Sequence, residues 1–220
     1  MKYSISEKLK YWWTALYFPV YMLIFDYLEK HISSVKIIST RVDRLIPFIE
    51  AFVVPYLIWF PFIAIIALTF FFNDKEEYKN YFLALASGMT LFLIISAVFP
   101  NGLDIRPAYY DTTGIFGHML SFIYSHDTST NVMPSIHAYN SLVTIIAVDR
   151  STKVFTSIRR KWLCHIISAS IVLSTLFIKQ HSILDVIAAL ALTVIADRLI
   201  YERAAISLKH KKAFRQQALH

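Results

Sequence analysis

The fold of this chain is decided at residues 51–72, which read AFVVPYLIWFPFIAIIALTFFF and contain no charged side chain. A helix rises about 1.5 Å per residue, so this stretch can cross a hydrocarbon layer of about 30 Å. Residues 81–103, which read YFLALASGMTLFLIISAVFPNGL, are also free of charge. Two such stretches in a chain that is 56% hydrophobic indicate an integral membrane protein.

Four further apolar stretches are weaker span candidates because they are shorter or more polar. They cover residues 11–25, 131–148, 162–178 and 182–201. With the first two stretches they give six spans and leave little of the chain over. We therefore predict an all-α, polytopic membrane helix bundle of six transmembrane helices. Residues 1–220 then form a single membrane-embedded domain, since no domain-sized polar insertion separates the spans.

The basic residues predict the orientation of the bundle. Most of the 22 Lys and Arg residues fall at the two chain ends and in alternate loops, and such residues stay on the cytoplasmic side. We therefore expect both termini to be cytoplasmic in a multi-pass protein of the cell membrane. The net charge of +7 lies at span ends and in the C-terminal tail. This placement favours anionic lipid headgroups as partners of the tail, and it argues against nucleic acid.

One basic segment, residues 29–44, is placed on the outer side by this topology. Its isoleucine and valine side chains suit the membrane surface, so we expect an interfacial helix there. The longest segment between spans, residues 100–130, also lies outside. A loop of that length usually has a function.

Polar residues cluster at the outer ends of three predicted spans. Polar groups near the hydrocarbon layer are unfavourable unless they pair or meet water, so each cluster is a candidate site. The topology brings all three to the same membrane face. The clusters are Asp104, Arg106 and Pro107 after the third span, Pro134, Ser135 and His137 at the fourth, and Lys179, His181 and Asp185 at the sixth.

The spacing of His181 and Asp185 predicts a contact between them. Residues four apart share a helix face, so the carboxylate can reach one imidazole nitrogen and fix the tautomer. The other nitrogen is then free to act as a nucleophile or a base. The simpler alternative is a membrane His and Asp that only satisfy each other.

Phosphate is the ligand that these clusters favour. Pro134 suits the first turn of a helix, so Ser135 and His137 would sit among the free amides of a helix start, where anions bind. Arg106 and Lys179 add positive charge, and a guanidinium can hold two phosphate oxygens.

The motifs resemble those of the type 2 phosphatidic acid phosphatase superfamily. Residues 134–137, Pro-Ser-Ile-His, are similar to its second motif, and residues 181–185, His-Ser-Ile-Leu-Asp, to the end of its third. Arg106 and Pro107 match the end of its first motif. The resemblance covers about residues 91–200 and rests on the order of the motifs, their spacing and the shared membrane face.

This resemblance implies a lipid phosphatase whose catalytic residues are His181, His137 and Asp185. In the family the third-motif histidine attacks phosphorus, so His181 would form a phosphohistidine while Asp185 orients it. His137 would protonate the leaving alkoxide. Arg106 and Ser135 would hold the phosphoryl oxygens. The scheme requires no metal or cofactor, and phosphatidate, phosphatidylglycerophosphate and isoprenyl diphosphates all fit as substrates.

Two positions depart from the family pattern. Phe99 stands where the first motif usually has a lysine, and Ser174 and Thr175 stand where the third motif usually has a serine and an arginine. Lys179 is a candidate phosphate-binding residue that could replace one lost cation. The pattern also resembles the sphingomyelin synthase and inositol phosphorylceramide synthase branch, whose members transfer the headgroup to an alcohol. Hydrolase and transferase both stay open, as does the oligomeric state.

Other readings of the same residues are weaker. A metal cluster lacks tight ligand spacing; its members would be His118, His126, Asp127 and His137. A serine hydrolase triad of Ser135, His181 and Asp185 lacks the Gly-x-Ser-x-Gly turn. A lipid or anion transporter would place its site near the midplane between repeated halves, and no repeat is visible. An inactive lipid-phosphate binder is the remaining alternative.

Overall fold

The computed structural model describes residues 11–31 and 34–202 of the chain. Across these residues it has eight α-helices and one pair of two-residue strands, so the prediction of an all-helical protein is confirmed. The helices are α1 (Tyr17–Lys30), α2 (Arg41–Leu45), α3 (Val53–Asn73), α4 (Lys75–Val98), α5 (Ile115–His126), α6 (Ile136–Arg150), α7 (Ile158–Phe177) and α8 (Ile183–Ala196). Two 3-10 segments, Trp12–Leu16 and Glu50–Phe52, precede α1 and α3, and a π-helical segment, Asp197–Glu202, follows α8.

Two of the described helices are long and apolar enough to cross a membrane, namely Glu50–Asn73 and Lys75–Val98. They correspond to the two charge-free stretches of the sequence. The second helix begins six residues earlier than predicted because the side chain of Asp74 accepts a hydrogen bond from the Glu77 N–H and caps it. It ends five residues earlier, and Asn101–Gly102 then forms a strand.

The other four predicted spans correspond to α1, α6, α7 and α8. Three of these helices have 14 or 15 residues, and α7 has 20 residues but carries three basic ones, Arg159 to Lys161, in its first turn. We predicted that both termini are cytoplasmic and that the basic C-terminal tail contacts lipid headgroups. These predictions concern mainly residues 1–10 and 203–220, which lie outside the described residues.

Helix α6 forms the centre of the bundle and packs against α3, α4, α7 and α8. Tyr139 of α6 is fully buried, and its hydroxyl donates to the carbonyl oxygen of Ala84 in α4. The ring of Tyr139 fills the space beside Gly88, where a Cβ atom would lie only 2.0 Å from a ring carbon. The close approach of α4 and α6 therefore requires glycine at position 88.

The loops at one end of the bundle are tied together by a small parallel pair, β1 (Lys36–Ile37) with β2 (Asn101–Gly102). The Asn101 side chain accepts hydrogen bonds from the N–H groups of Val132 and Met133 just before α6. We predicted an interfacial helix at residues 29–44, but the described helical residues of this segment are only the end of α1 and the start of α2, and Lys36 and Ile37 are extended and paired in the sheet.

Candidate functional site

His181 lies at the amino end of α8, next to the N-cap residue Ser182. Asp185 reaches back from the first turn, and one carboxylate oxygen accepts the Ser182 N–H at 2.8 Å and faces His181 Nδ1 at 3.3 Å. The predicted contact is therefore present, but for a different reason. His181 precedes the helix, and the contact comes from helix capping rather than from a shared helix face.

His137, in the first turn of α6, faces the second nitrogen of His181. The distance from His137 Nδ1 to His181 Nε2 is 3.4 Å. Tyr56 of α3 stacks on the His137 ring at a centroid distance of 4.4 Å, and Trp59 contacts the same ring in a tilted arrangement at 4.3 Å. Its remaining nitrogen, Nε2, is buried and has no hydrogen-bond partner among the described residues.

The carboxylate at one end of this row favours one arrangement of donors and acceptors. The carboxylate of Asp185 accepts only, so His181 Nδ1 carries a proton and Nε2 presents a lone pair. The Nδ1–H of His137 then donates to that lone pair. The carboxylate of Asp185 thus lies on the Nδ1 side of the His181 ring, and His137 lies on the Nε2 side.

Arg106 is held beside this pair by its neighbours in the loops. Its guanidinium donates to the carbonyl oxygens of Asp127, at 2.5 Å, and Tyr124, and to the side-chain oxygen of Gln180. Burial lowers the pKa of Arg106, and the carboxylate of Asp127 opposes that shift. Its Nε is buried without a partner in the described part of the chain. Gln180 connects this cation to the backbone next to His181.

Ser135 has a structural position between the two helix starts. Its hydroxyl accepts the Ala138 N–H and caps α6, while its own N–H donates to the backbone oxygen of Asp185 at 3.2 Å. Ser135 is fully buried. Its hydroxyl is thus used in capping α6, and its amide joins α6 to α8. Pro134 lies before the helix rather than within its first turn, because Ser135 is the N-cap.

Lys179 points away from the two histidines. Its ammonium group donates to the backbone oxygens of Asp43 and Ile46 in and after α2, at 2.6 and 2.5 Å. Burial lowers the pKa of Lys179, and the negative charge of Asp43 opposes this. The structure thus brings together His181, His137 and Asp185, with Arg106 close by, and it directs Lys179 to another element.

Both imidazoles line a cavity of about 390 Å³ between α1, α3 and the loop before α6. This histidine cavity adjoins an apolar groove of about 850 Å³ between the 3-10 segment, α1, α3 and α4. The two spaces share four lining residues, Phe18, Trp59, Phe60 and Met89. The two spaces therefore meet at aromatic side chains and one methionine, and the histidines line only the smaller of them.

The sequence analysis did not identify three residues of the histidine cavity as site residues, namely Tyr56, Asp127 and Gln180. Tyr56 and Gln180 both donate to the carboxylate of Asp127, which we had considered only as a metal ligand. Of these three residues, Gln180 was the easiest to predict from the sequence because it directly precedes His181. Within residues 11–31 and 34–202, no group of three or more His, Cys, Asp or Glu side chains is placed to hold a metal ion.

The positions that depart from the family pattern hold no cation. Thr175 is buried, and its backbone oxygen accepts the N–H groups of Gln180 and His181, so it shapes the turn before α8. Lys36 lies over the ring of Phe99, with its ammonium nitrogen 5.4 Å from the ring centroid.

Comparison with protein-family models, with curated proteins and with solved structures found no match.

Proposed function

We propose that this chain is a six-span membrane lipid phosphatase that hydrolyses a phosphomonoester or diphosphate through a phosphohistidine on His181. The observation that carries the proposal is the row Asp185, His181, His137 at one end of the bundle, in which Asp185 and His181 are buried and both histidines line the histidine cavity. A carboxylate, a nucleophilic nitrogen and a proton donor are the groups that stepwise phosphoryl transfer needs.

In the first step, the lone pair of His181 Nε2 attacks phosphorus, and the bond from phosphorus to the lipid oxygen breaks. His137, which enters this step as an imidazolium with a proton on each nitrogen, gives one proton to the departing oxygen and becomes neutral, so that the lipid leaves as an alcohol, or as a monophosphate from a diphosphate. Asp185 stabilises the positive charge that spreads over the His181 ring as its Nδ1–H bond polarises.

In the second step, water attacks the phosphohistidine. His137, now a neutral imidazole, takes one proton from that water as the new oxygen–phosphorus bond forms and becomes the imidazolium again. The bond from phosphorus to His181 Nε2 breaks, which releases inorganic phosphate and restores the neutral imidazole. Both histidines thus return to the protonation states in which they began.

Substrate entry requires a local rearrangement. A phosphoryl group bonded to His181 Nε2 cannot fit in the 3.4 Å gap to His137, so the two rings must separate or rotate. Arg106 must exchange at least one of its contacts to Gln180 or Asp127 for a phosphoryl oxygen. The Nε–H of Arg106 has no partner among the described residues, so it can donate to a phosphoryl oxygen without breaking another contact. This supports a role of Arg106 as an anion ligand.

The membrane placement is part of the proposal. We take the histidine end of the bundle as extracytoplasmic, with α1, α3, α4, α6, α7 and α8 as the spans. The apolar groove supports a lipid substrate, since a hydrocarbon chain can lie between α1, α3 and α4 while its phosphate reaches the histidine cavity. The residues that line this groove are mostly aromatic or aliphatic.

The test is phosphate release from phosphatidate, phosphatidylglycerophosphate and an isoprenyl diphosphate in detergent with EDTA. We expect release by the parent and none by His181→Ala. His126→Ala is the matched control, because His126 also lines the histidine cavity but bonds to Ser125 and to a backbone oxygen of its own helix. Equal release by parent and His181→Ala, or a requirement for divalent metal, would overturn the proposal. Added diacylglycerol distinguishes hydrolysis from headgroup transfer.

A further inference from the structure

Asp43 in α2 is a buried carboxylate to which sequence reasoning assigned no role. Only 1% of its surface is exposed. One oxygen accepts the backbone N–H of Ile183 at 2.8 Å, and the other accepts the Ser182 hydroxyl at 2.8 Å. The second oxygen also accepts the N–H and the hydroxyl of Thr40, the N-cap of α2 itself. A single side chain thus caps its own helix and the start of α8.

The bonds to α8 fix the residue that follows His181. Ser182 is held from one side by Asp43 through its hydroxyl and from the other by Asp185 through its N–H. The oxygen of Asp185 that accepts this N–H is the one that faces His181 Nδ1. A rotation of Ser182 would therefore change the distance between the carboxylate and the imidazole.

A second connection holds the other side of His181. Lys179, two residues before it, donates its ammonium protons to the backbone oxygens of Asp43 and Ile46. Lys179 has a φ angle of 55°, a left-handed conformation that is unfavourable for lysine and must be held by its surroundings. The turn that carries His181 is thus fastened to α2 both before and after the histidine.

We propose that Asp43 is a positioning residue that sets the orientation of the His181 imidazole through Ser182 and the first turn of α8. The effect that this proposal predicts on the rate of phosphate release rests on the proposed function. Asp43 is not among the residues that line the histidine cavity, and four donors already occupy its carboxylate. It therefore acts through its neighbours and does not bind the substrate.

The state of this carboxylate agrees with such a role. Burial raises the pKa of Asp43, but the hydrogen bonds from Ile183, Thr40 and Ser182 outweigh it, so that the pKa lies below its ordinary value. Asp43 therefore stays ionised and keeps all four donors throughout the neutral range. Removing its side chain leaves the N–H of Ile183 and the hydroxyl of Ser182 without this acceptor.

The experiment compares Asp43→Ala and Asp43→Asn with a matched control, Asp74→Ala. Asp74 is also a buried aspartate that caps a helix, but it caps α4, and its partner Lys153 lies in the loop after α6. The first readout is the rate at which diethyl pyrocarbonate modifies His181, followed by mass spectrometry. The second is the split between kcat and KM for phosphate release.

We expect Asp43→Ala to raise the modification rate of His181 about fivefold, because its turn opens more often. We expect kcat to fall about tenfold, with KM unchanged, since misplaced reacting groups slow chemistry more than binding. Asp43→Asn keeps one acceptor oxygen and should recover part of both effects. Asp74→Ala should lower the melting temperature without changing either readout.

Unchanged modification of His181 in both Asp43 variants would overturn the positioning role, whether or not the parent releases phosphate. Equal effects in Asp74→Ala would also overturn it, because they would reflect general loss of stability. If Asp43→Ala does not fold, Asp43→Asn decides by the same two readouts. An inactive parent would count against the phosphatase proposal alone, since the modification rate does not depend on turnover.

Discussion

Replacing Asp185 by asparagine removes one charge from the centre of the site and changes little else. Asparagine has nearly the same shape, and its oxygen can still accept the Ser182 N–H that caps α8. The variant should therefore fold, with a melting temperature within a few degrees of the parent. What it loses is the negative charge behind His181 at the moment when the ring becomes positive.

The size of the loss follows from the separation of the two groups. Asp185 and His181 Nδ1 are 3.3 Å apart, so two unit charges at an effective dielectric constant of about 20 would attract by about 5 kcal/mol. The imidazolium charge is spread over the ring, which reduces this to about 3.5 kcal/mol. These energies correspond to a rate loss between about 400-fold and about 5000-fold.

The assay is single-turnover phosphate release by purified Asp185→Asn with saturating enzyme, alongside a thermal melt. Asp104→Asn is the control, because Asp104 is also 3.3 Å from a cationic group, Arg44, but both are exposed. Exposed pairs of this kind contribute less than about 1 kcal/mol, so the control should keep the parent rate. A folded Asp185→Asn within threefold of the parent would refute the electrostatic reasoning.

Three further predictions follow from the site and the groove. Arg106→Lys keeps the charge but loses the planar fork, so KM should rise about tenfold in steady-state kinetics; an unchanged KM would remove Arg106 from the phosphate site. Ala67→Trp fills the apolar groove and should raise KM about tenfold for long-chain substrates only. Ile65→Trp, on the exposed face of the same helix, should leave KM unchanged. An equal rise in KM for a short soluble substrate would contradict the binding of hydrocarbon chains in the groove. The lowered pKa of Asp43 means that its contribution to stability is complete above the unfolded pKa, about 3.9, and is lost as the pH falls through the lower folded pKa. Melting temperatures should therefore fall less steeply in Asp43→Asn than in the parent below about pH 4, and parallel curves would contradict this.

The sequence predicted the long helices well because their composition leaves few alternatives. A charge-free run such as residues 51–72 must bury or face hydrocarbon along its whole length, and it forms α3. The end points were less accurate, because they depend on single capping side chains. Asp74 starts α4 well before the apolar run begins, and no hydrophobic pattern contains that information.

The site was predictable where residues are close in sequence and less so where they are distant. The proximity of His181 to Asp185 follows from local spacing, and the meeting with His137 from the shared end of the predicted helices. The direction of Lys179 was not predictable, because it depends on α2. Asp43 and Ser182 are 139 residues apart, and only the folded chain brings them together.

The proposed mechanism depends most on the covalent bond that forms between phosphorus and Nε2 of His181. The most direct measurement is a rapid quench of the enzyme with a lipid substrate labelled at the scissile phosphoryl group, followed by peptide mapping under alkaline conditions. We predict label on Nε2 of His181, acid-labile and chased by further turnover, in the parent and in His126→Ala. Label on another residue, or phosphate release with no labelled protein at any time point, would contradict the phosphohistidine mechanism.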